Sequence, residues 1–193
     1  MVLDLFHEGH LDFGENKVQD LVAKYDELPK QIRWHMIGHL QTNKVKFIAP
    51  FVHLVHGVDS MKLLRTINKE GEKNERTINC LFQIHIASEA TKFGLNETEL
   101  EEIINSEEFR EMNFVKISGL MGMATYTDDS DQVRKEFRNL KRIFDKLKSD
   151  HFNDNSDFSI LSMGMSGDYQ LAIEEGSTLI RVGSLIFGPR NYT

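Results

Sequence analysis

Phe158-Ser-Ile-Leu-Ser-Met-Gly-Met-Ser166-Gly-Asp168 and, after a short helical segment, Ser177-Thr-Leu-Ile-Arg181-Val-Gly183-Ser184-Leu-Ile-Phe-Gly188 form the stretch on which the fold turns. Two apolar runs rich in Ile, Leu, Met and Val, each closed by a Ser/Gly cluster, flank the helical segment. This is the pattern of a βαβ unit in a parallel sheet. A Ser/Gly loop at the carboxyl end of a strand exposes backbone N–H groups beside the positive end of a helix dipole, and both favour a bound phosphate. Arg181 falls inside the second strand, where a charge needs a partner. The pattern also admits a structural reading. In that reading Ser166 is a helix N-cap, Gly176 a C-cap, and Arg181 is paired to a carboxylate.

Outward from that stretch, the same unit recurs along the chain. His10 to Asn16 reads as a short strand with a polar tip, followed by a helix through Val18, Leu21, Val22 and Tyr25. Ile32 to Gly38 is a strand whose tip leads into a helix carrying Val45, Phe47 and Ile48. Val52 to Asp59 is another, with Ser60 as N-cap of a helix through Leu63, Leu64 and Ile67. Gly71 to Arg76 reads as a charged, solvated turn, and Ile78 to Ala87 as a strand. Glu97 to Met112 reads as one acidic helix and Val115 to Met123 as a strand. Asp131 to Lys148 is the clearest helix, with Val133, Phe137, Leu140, Phe144 and Leu147 at spacings of three and four. Met1 to His10 reads as the last turns of a helix with Gly9 at its end.

The strand tips fall near Asn16, Gly38, Asp59, Ala87, Met123, Met165 and Ser184. Seven strands alternating with helices imply a parallel sheet covered by helices, either doubly wound or a (β/α) barrel, with functional groups at the carboxyl ends. Seven is one short of a closed barrel, and the missing unit would precede Met1.

Composition narrows the function. At 193 residues, with 40% apolar and 27% charged residues, the chain is expected to form one globular domain. A net charge of −7 supplies no basic footprint, so nucleic acid and acidic membranes are set aside as partners. The single cysteine, Cys80, lies in an apolar run and reads as a core residue, so no disulfide framework or CxxC zinc pair is available. His35 and His39 are four apart, but on a strand and a loop they do not form an HExxH face and read as polar lining residues. No metal ligand and no catalytic residue is singled out. With no signal peptide and no apolar run near the ~18 residues of a membrane span, a reducing cytoplasmic setting is expected.

Several motifs together carry a resemblance. Phe13-Gly-Glu-Asn16 with Val18-Gln19, Trp34 to Lys44, Lys92-Phe-Gly94, Ser118-Gly-Leu-Met121, Leu161 to Ser166, and Arg181-Val-Gly183 with Ile186-Phe-Gly188 resemble the YggS/PROSC family of pyridoxal phosphate homeostasis proteins. That family is built like the N-terminal barrel of alanine racemase, and the resemblance runs from about Gly9 to Arg190. It implies a (β/α)8 TIM-type barrel, here with seven strands and the first missing. It also implies one pyridoxal 5′-phosphate-binding domain over residues 1–193, N-terminally truncated relative to the family.

The implied role is a non-catalytic carrier or regulator in vitamin B6 homeostasis and amino-acid balance, as a monomer or homodimer. Pyridoxal phosphate-dependent enzymes would be its recipients. The resemblance places the phosphate against Ser166 and the backbone of Gly183 and Ser184, with Arg181 beside the pyridine nitrogen and Asn16 near the ring. An arginine cannot accept the ring proton, so the ring stays unprotonated and is a weaker electron sink. The family's Schiff-base lysine lies on the first strand. The lysines nearest to strand tips here are Lys17, Lys44 and Lys92, in helices or loops, and Lys116 lies at the opposite end of its strand, so binding is expected to be non-covalent. The alternatives are an amino-acid racemase-like enzyme and a form that no longer binds the cofactor.

Overall fold

The computed structural model describes residues 1–89 and 93–188. Lys92, from the loop motif, and Pro189 and Arg190, at the end of the resemblance, lie outside the described residues. The chain opens with α1 (Val2–His7) and continues β1 (Asp12–Glu15), α2 (Val18–Glu27) and β2 (Arg33–Met36). A 3-10 turn at Thr42–Lys44 leads into α3 (Val45–Ile48), then β3 (Leu54–Val58), α4 (Met61–Lys73) and β4 (Ile78–Ile84). Helices α5 (Glu97–Asn105) and α6 (Glu107–Arg110) precede β5 (Val115–Gly122) and α7 (Ser130–Asp150). The chain then runs through β6 (Ile160–Met165), α8 (Tyr169–Glu174), β7 (Leu179–Arg181) and α9 (Ser184–Phe187).

All seven strands are parallel and lie in sequence order, β1 to β7, as the expected βα alternation requires. Each crossover returns the chain to the same end of the sheet, so every strand tip points to one face. Among the described residues β1 and β7 remain the two edges of a nearly closed barrel.

The apolar residues divide into two sets because strand side chains alternate between faces. Trp34, Met36, Val55, Cys80, Phe82, Ile84, Leu120, Leu161 and Met163 point outward and join Leu21, Leu64, Ile67, Leu100, Phe137 and Leu140 from the helices in the main core. Leu54, Leu81 and Met121, with Met123, Ile160 and Leu179, fill the inside of the barrel. Two residues further along the same strands, the inward positions turn polar: His56, Gln83, Ser162 and Arg181. That switch within single strands reserves part of the barrel interior for polar chemistry. Cys80 is fully buried in the outer core, and burial pushes its thiol pKa up, away from any nucleophilic role.

Two element expectations are corrected. The acidic segment 97–112 is two helices, because the Ser106 hydroxyl accepts from Phe109 N at 3.2 Å and restarts the helix. The segment 71–76 is not simply a solvated turn, since α4 runs through Gly71 to Lys73. Gly71 is buried, and a Cβ there would stand 2.8 Å from the carbonyls of Arg76 and Phe114. Arg76 itself donates to the carbonyls of Ala49 and Val52 at 2.6 and 3.1 Å, tying the end of α3 to the region before β4.

Candidate functional site

The carboxyl ends of β6 and β7 come together as the sequence pattern implies. Gly164 takes φ +94°, which turns the chain out of β6, and a Cβ there would collide with the Cβ of Ala172 at 2.5 Å. The backbone N–H of Met165 donates to Asp168 Oδ1 at 2.6 Å and fixes the turn. Ser166 is held within it, and its hydroxyl oxygen accepts from Gly183 N at 3.2 Å. The N-cap of α8 is Asp168, so Ser166 is not the cap that the structural reading allowed. Its contact instead joins the two Ser/Gly loops and leaves the hydroxyl proton free to donate outward. Gly183 precedes α9 with nothing within 4 Å of where its Cβ would stand, and Ser184 is the first residue of that helix. Gly176, at φ +93°, does close α8.

Among the described residues Arg181 is not paired to a carboxylate. Its guanidinium donates to Ser162 O and Oγ at 2.9 and 2.6 Å and to Gly122 O at 3.0 Å, all neutral acceptors. Burial pulls its pKa down to about 10, with the field of Asp168 opposing. A partly desolvated cation without a contacting anion at the mouth of a barrel is costly unless a ligand supplies the charge. Asn16 lies past the tip of β1, on the opposite edge strand from Arg181, against the backbone of Gly38. The five positions therefore form a compact group of Ser166, Arg181, Gly183 and Ser184, with Asn16 on the other side of the opening.

Of the lysines, Lys17 is the N-cap residue of α2, Lys44 sits in the 3-10 turn, and Lys116 pairs with Asp157 at 2.6 Å near the amino end of β5.

Sequence reasoning missed a polar chain through the barrel interior. Asp12 Oδ1 lies 3.1 Å from His35 Nε2, and His35 Nδ1 lies 3.0 Å from His56 Nε2. His56 Nδ1 lies 3.1 Å from Ser162 Oγ, which accepts from Arg181. An ionised carboxylate can only accept, so the Asp12 end sets the sense of every link, while the Ser162 oxygen accepts from Arg181 in either sense. With one proton on each imidazole, Ser162 donates to His56, His56 to His35, and His35 to Asp12. The hydrogen bond from His35 is the main cause holding the Asp12 carboxyl down at about 2, with Arg33 also lowering it. Burial pushes His56 well below the usual histidine range, and the nearby Arg181 charge adds to the effect. The residues come from five strands, and no local spacing in the sequence announces them.

His39 does not join this chain. It stacks on Phe93 with ring centroids 4.0 Å apart and contacts Asp59 at 3.3 Å, a lining role as expected.

The parallel sheet, the helix after each strand tip, and polar groups converging at the tips of β6 and β7 define a barrel of the alanine racemase N-terminal domain type, and that family matches residues 2–191. The chain is 37% identical to a pyridoxal phosphate homeostasis protein of Aquifex aeolicus over its whole length, covering 82% of that protein. It is 40% identical to the one from Helicobacter pylori over 91% of this chain and 76% of the relative. PipY of Synechococcus elongatus, solved with and without pyridoxal phosphate, superposes with TM-scores of 0.84 and 0.87 at 29% identity, over 97% of this chain and 86% of PipY. Alanine racemase from Bartonella henselae shares the fold at 14% identity, with a TM-score of 0.68 over 98% of this chain and 53% of the enzyme. The chain belongs to the pyridoxal phosphate homeostasis protein family.

Proposed function

We propose that this chain binds pyridoxal 5′-phosphate at the carboxyl ends of β6 and β7 and serves in vitamin B6 homeostasis as a carrier or regulator. The observation that carries the reading is Arg181, half-buried, whose guanidinium has only neutral hydrogen-bond partners among the described residues, set beside the Ser166–Gly183 contact. An anionic cofactor offsets that charge. The names of the relatives and the cofactor in the PipY structure point the same way. The open space over Gly183 and the outward-facing hydroxyl proton of Ser166 fit a phosphate group, which needs close backbone approach and donors.

In this reading Ser166, Gly183 and Ser184 bind the phosphate, Arg181 faces the pyridine nitrogen, and Asn16 lines the ring from the β1 side. The cofactor, when bound, supplies an electrophilic carbonyl for exchange with amino groups. Ser162 and Gly122 aim the guanidinium, which has no acceptor and so cannot take up a ring proton. Among the described residues Lys17, Lys44 and Lys116 are placed elsewhere, which supports non-covalent binding, with the whole of residues 1–193 acting as one binding domain. Pyridoxal phosphate-dependent enzymes are the recipients to which it hands the cofactor.

The test is a titration of the purified chain with pyridoxal phosphate, followed by absorbance, then borohydride treatment and intact mass. Saturable binding without a mass increase is expected. Absence of saturable binding would overturn the assignment, and a mass increase would show a lysine anchor and overturn the non-covalent mode.

A further inference from the structure

At the amino ends of the strands, on the far side of the barrel from the site above, Asp12, His35 and His53 converge. One ligand atom from each lies within 4.8 Å of the other two. They come from β1, β2 and the residue just before β3, so the sheet rather than any local motif assembles them. We propose that these three side chains form a binding site for a transition-metal dication of the zinc class.

Geometry carries the assignment. The rings of His35 and His53 lie side by side, with centroids 5.4 Å apart and planes inclined by 25°, so their nitrogens are presented together. The 3.1 Å separation of His35 Nε2 from Asp12 Oδ1 is close to what two ligands bound at about 2.0–2.2 Å on a tetrahedral ion require. His35 is buried and its other nitrogen is held by His56, the arrangement that orients a metal-binding imidazole. His53 is the exposed member and supplies the movement that brings the third ligand in. Two imidazoles and a carboxylate select zinc, cobalt or nickel over magnesium or calcium.

Three protein ligands leave a further coordination position for water or a small anion. Of the three, His53 alone also borders a polar hollow of about 270 Å³, with Asn79, Lys116, Ser118 and Asp157.

Two features of the metal-free arrangement must yield. His35 Nε2 must give up the proton it shares with Asp12. It does so by tautomerisation, with Nδ1–H then donating to His56 Nε2 and His56 Nδ1–H to Ser162, so each ring keeps one proton. Arg33, which pairs with the other Asp12 oxygen, repels the cation. Its removal therefore tightens binding, an effect that a site elsewhere on the surface would not show.

The experiment uses the untagged 193-residue chain, freed of metal by chelation, and titrates it with Zn²⁺ by calorimetry and with Co²⁺ by visible absorption. One-to-one saturable binding is expected, with cobalt bands of a low-coordinate site. His53→Ala and Asp12→Asn should each weaken binding by about 10-fold or more, and Arg33→Ala should strengthen it. His53 is exposed, so His53→Ala keeps the fold even if Asp12→Asn does not, and circular dichroism checks this. No saturable binding at micromolar metal, or binding that His53→Ala leaves unchanged, would overturn the site. Neither result depends on the pyridoxal phosphate titration.

Discussion

Ser166 and His56 show how far a single side chain sets the properties of this barrel. Ser166 donates from one side of the proposed phosphate position, and its loss removes a hydrogen bond to a charged group. Ser166→Ala should therefore weaken pyridoxal phosphate binding by about 1.5–3 kcal/mol, or at least 10-fold in Kd by absorbance titration, with little change in melting temperature. His56 governs pH dependence instead. Its folded pKa lies below the ordinary 6.5, so under acid conditions the unfolded chain takes up a proton that the native state refuses. The stability it protects is full above pH 6.5 and falls as the pH drops, at a slope of about 1.4 kcal/mol per pH unit. Urea unfolding between pH 7.5 and 5 should show that slope, and His56→Asn should flatten it. His53 contributes a smaller slope of the same sign. Asp12 does not contribute in this window, because its share is complete above 3.8 and is lost only as the pH falls through about 2.

At the scale of elements, glycines decide which strands can pair and where loops can open. Gly119 takes φ +150°, and a Cβ on it would lie 1.8 Å from the carbonyl of Ile160, inside the β5–β6 ladder. Gly119→Ala is expected to cost about 3 kcal/mol or more in denaturant unfolding, or to prevent folding. Gly183 has φ −124° and empty space over its Cα, so Gly183→Ala should leave stability unchanged within about 0.5 kcal/mol. The methyl would instead intrude on the proposed phosphate position and lower cofactor affinity, a split that a paired melt and titration would resolve. The sequence announced these elements unevenly. The Ser60 cap was legible because the hydroxyl precedes a clean apolar period, and it does accept from Leu63 N. The Ser106 cap was hidden in a run of glutamates that reads as continuous helix. Gly71 looked like a turn signal, whereas its missing side chain serves close packing against the carbonyls of Arg76 and Phe114.

Across the whole molecule, the seven strands and their parallel order were legible because each apolar run ends in small or polar residues before a helix. The group of Ser166, Arg181, Gly183 and Ser184 was legible for the same reason, being local to two adjacent tips. The chain from Asp12 through His35, His56 and Ser162 to Arg181 was not, since its links join residues separated by up to 106 positions and only closure of the sheet brings them together. That closure is uneven. Strands β4 and β5 pair along seven registered positions, from Ile78↔Val115 to Ile84↔Gly122, and their outward faces lie in the main core. Strand β7 is three residues long, half-buried throughout, and registers with β6 at two positions, while β1 has a neighbour on one side only. An edge strand leaves backbone groups to solvent and opens at lower free energy than the centre of the sheet. Native-state hydrogen exchange should therefore show β4 and β5 amides exchanging only through global unfolding, and β1 and β7 amides exchanging first through local opening. Equal protection of β7 and β4 at low protein concentration would mean that the two edges are sealed within a single molecule, contrary to the strand order seen here.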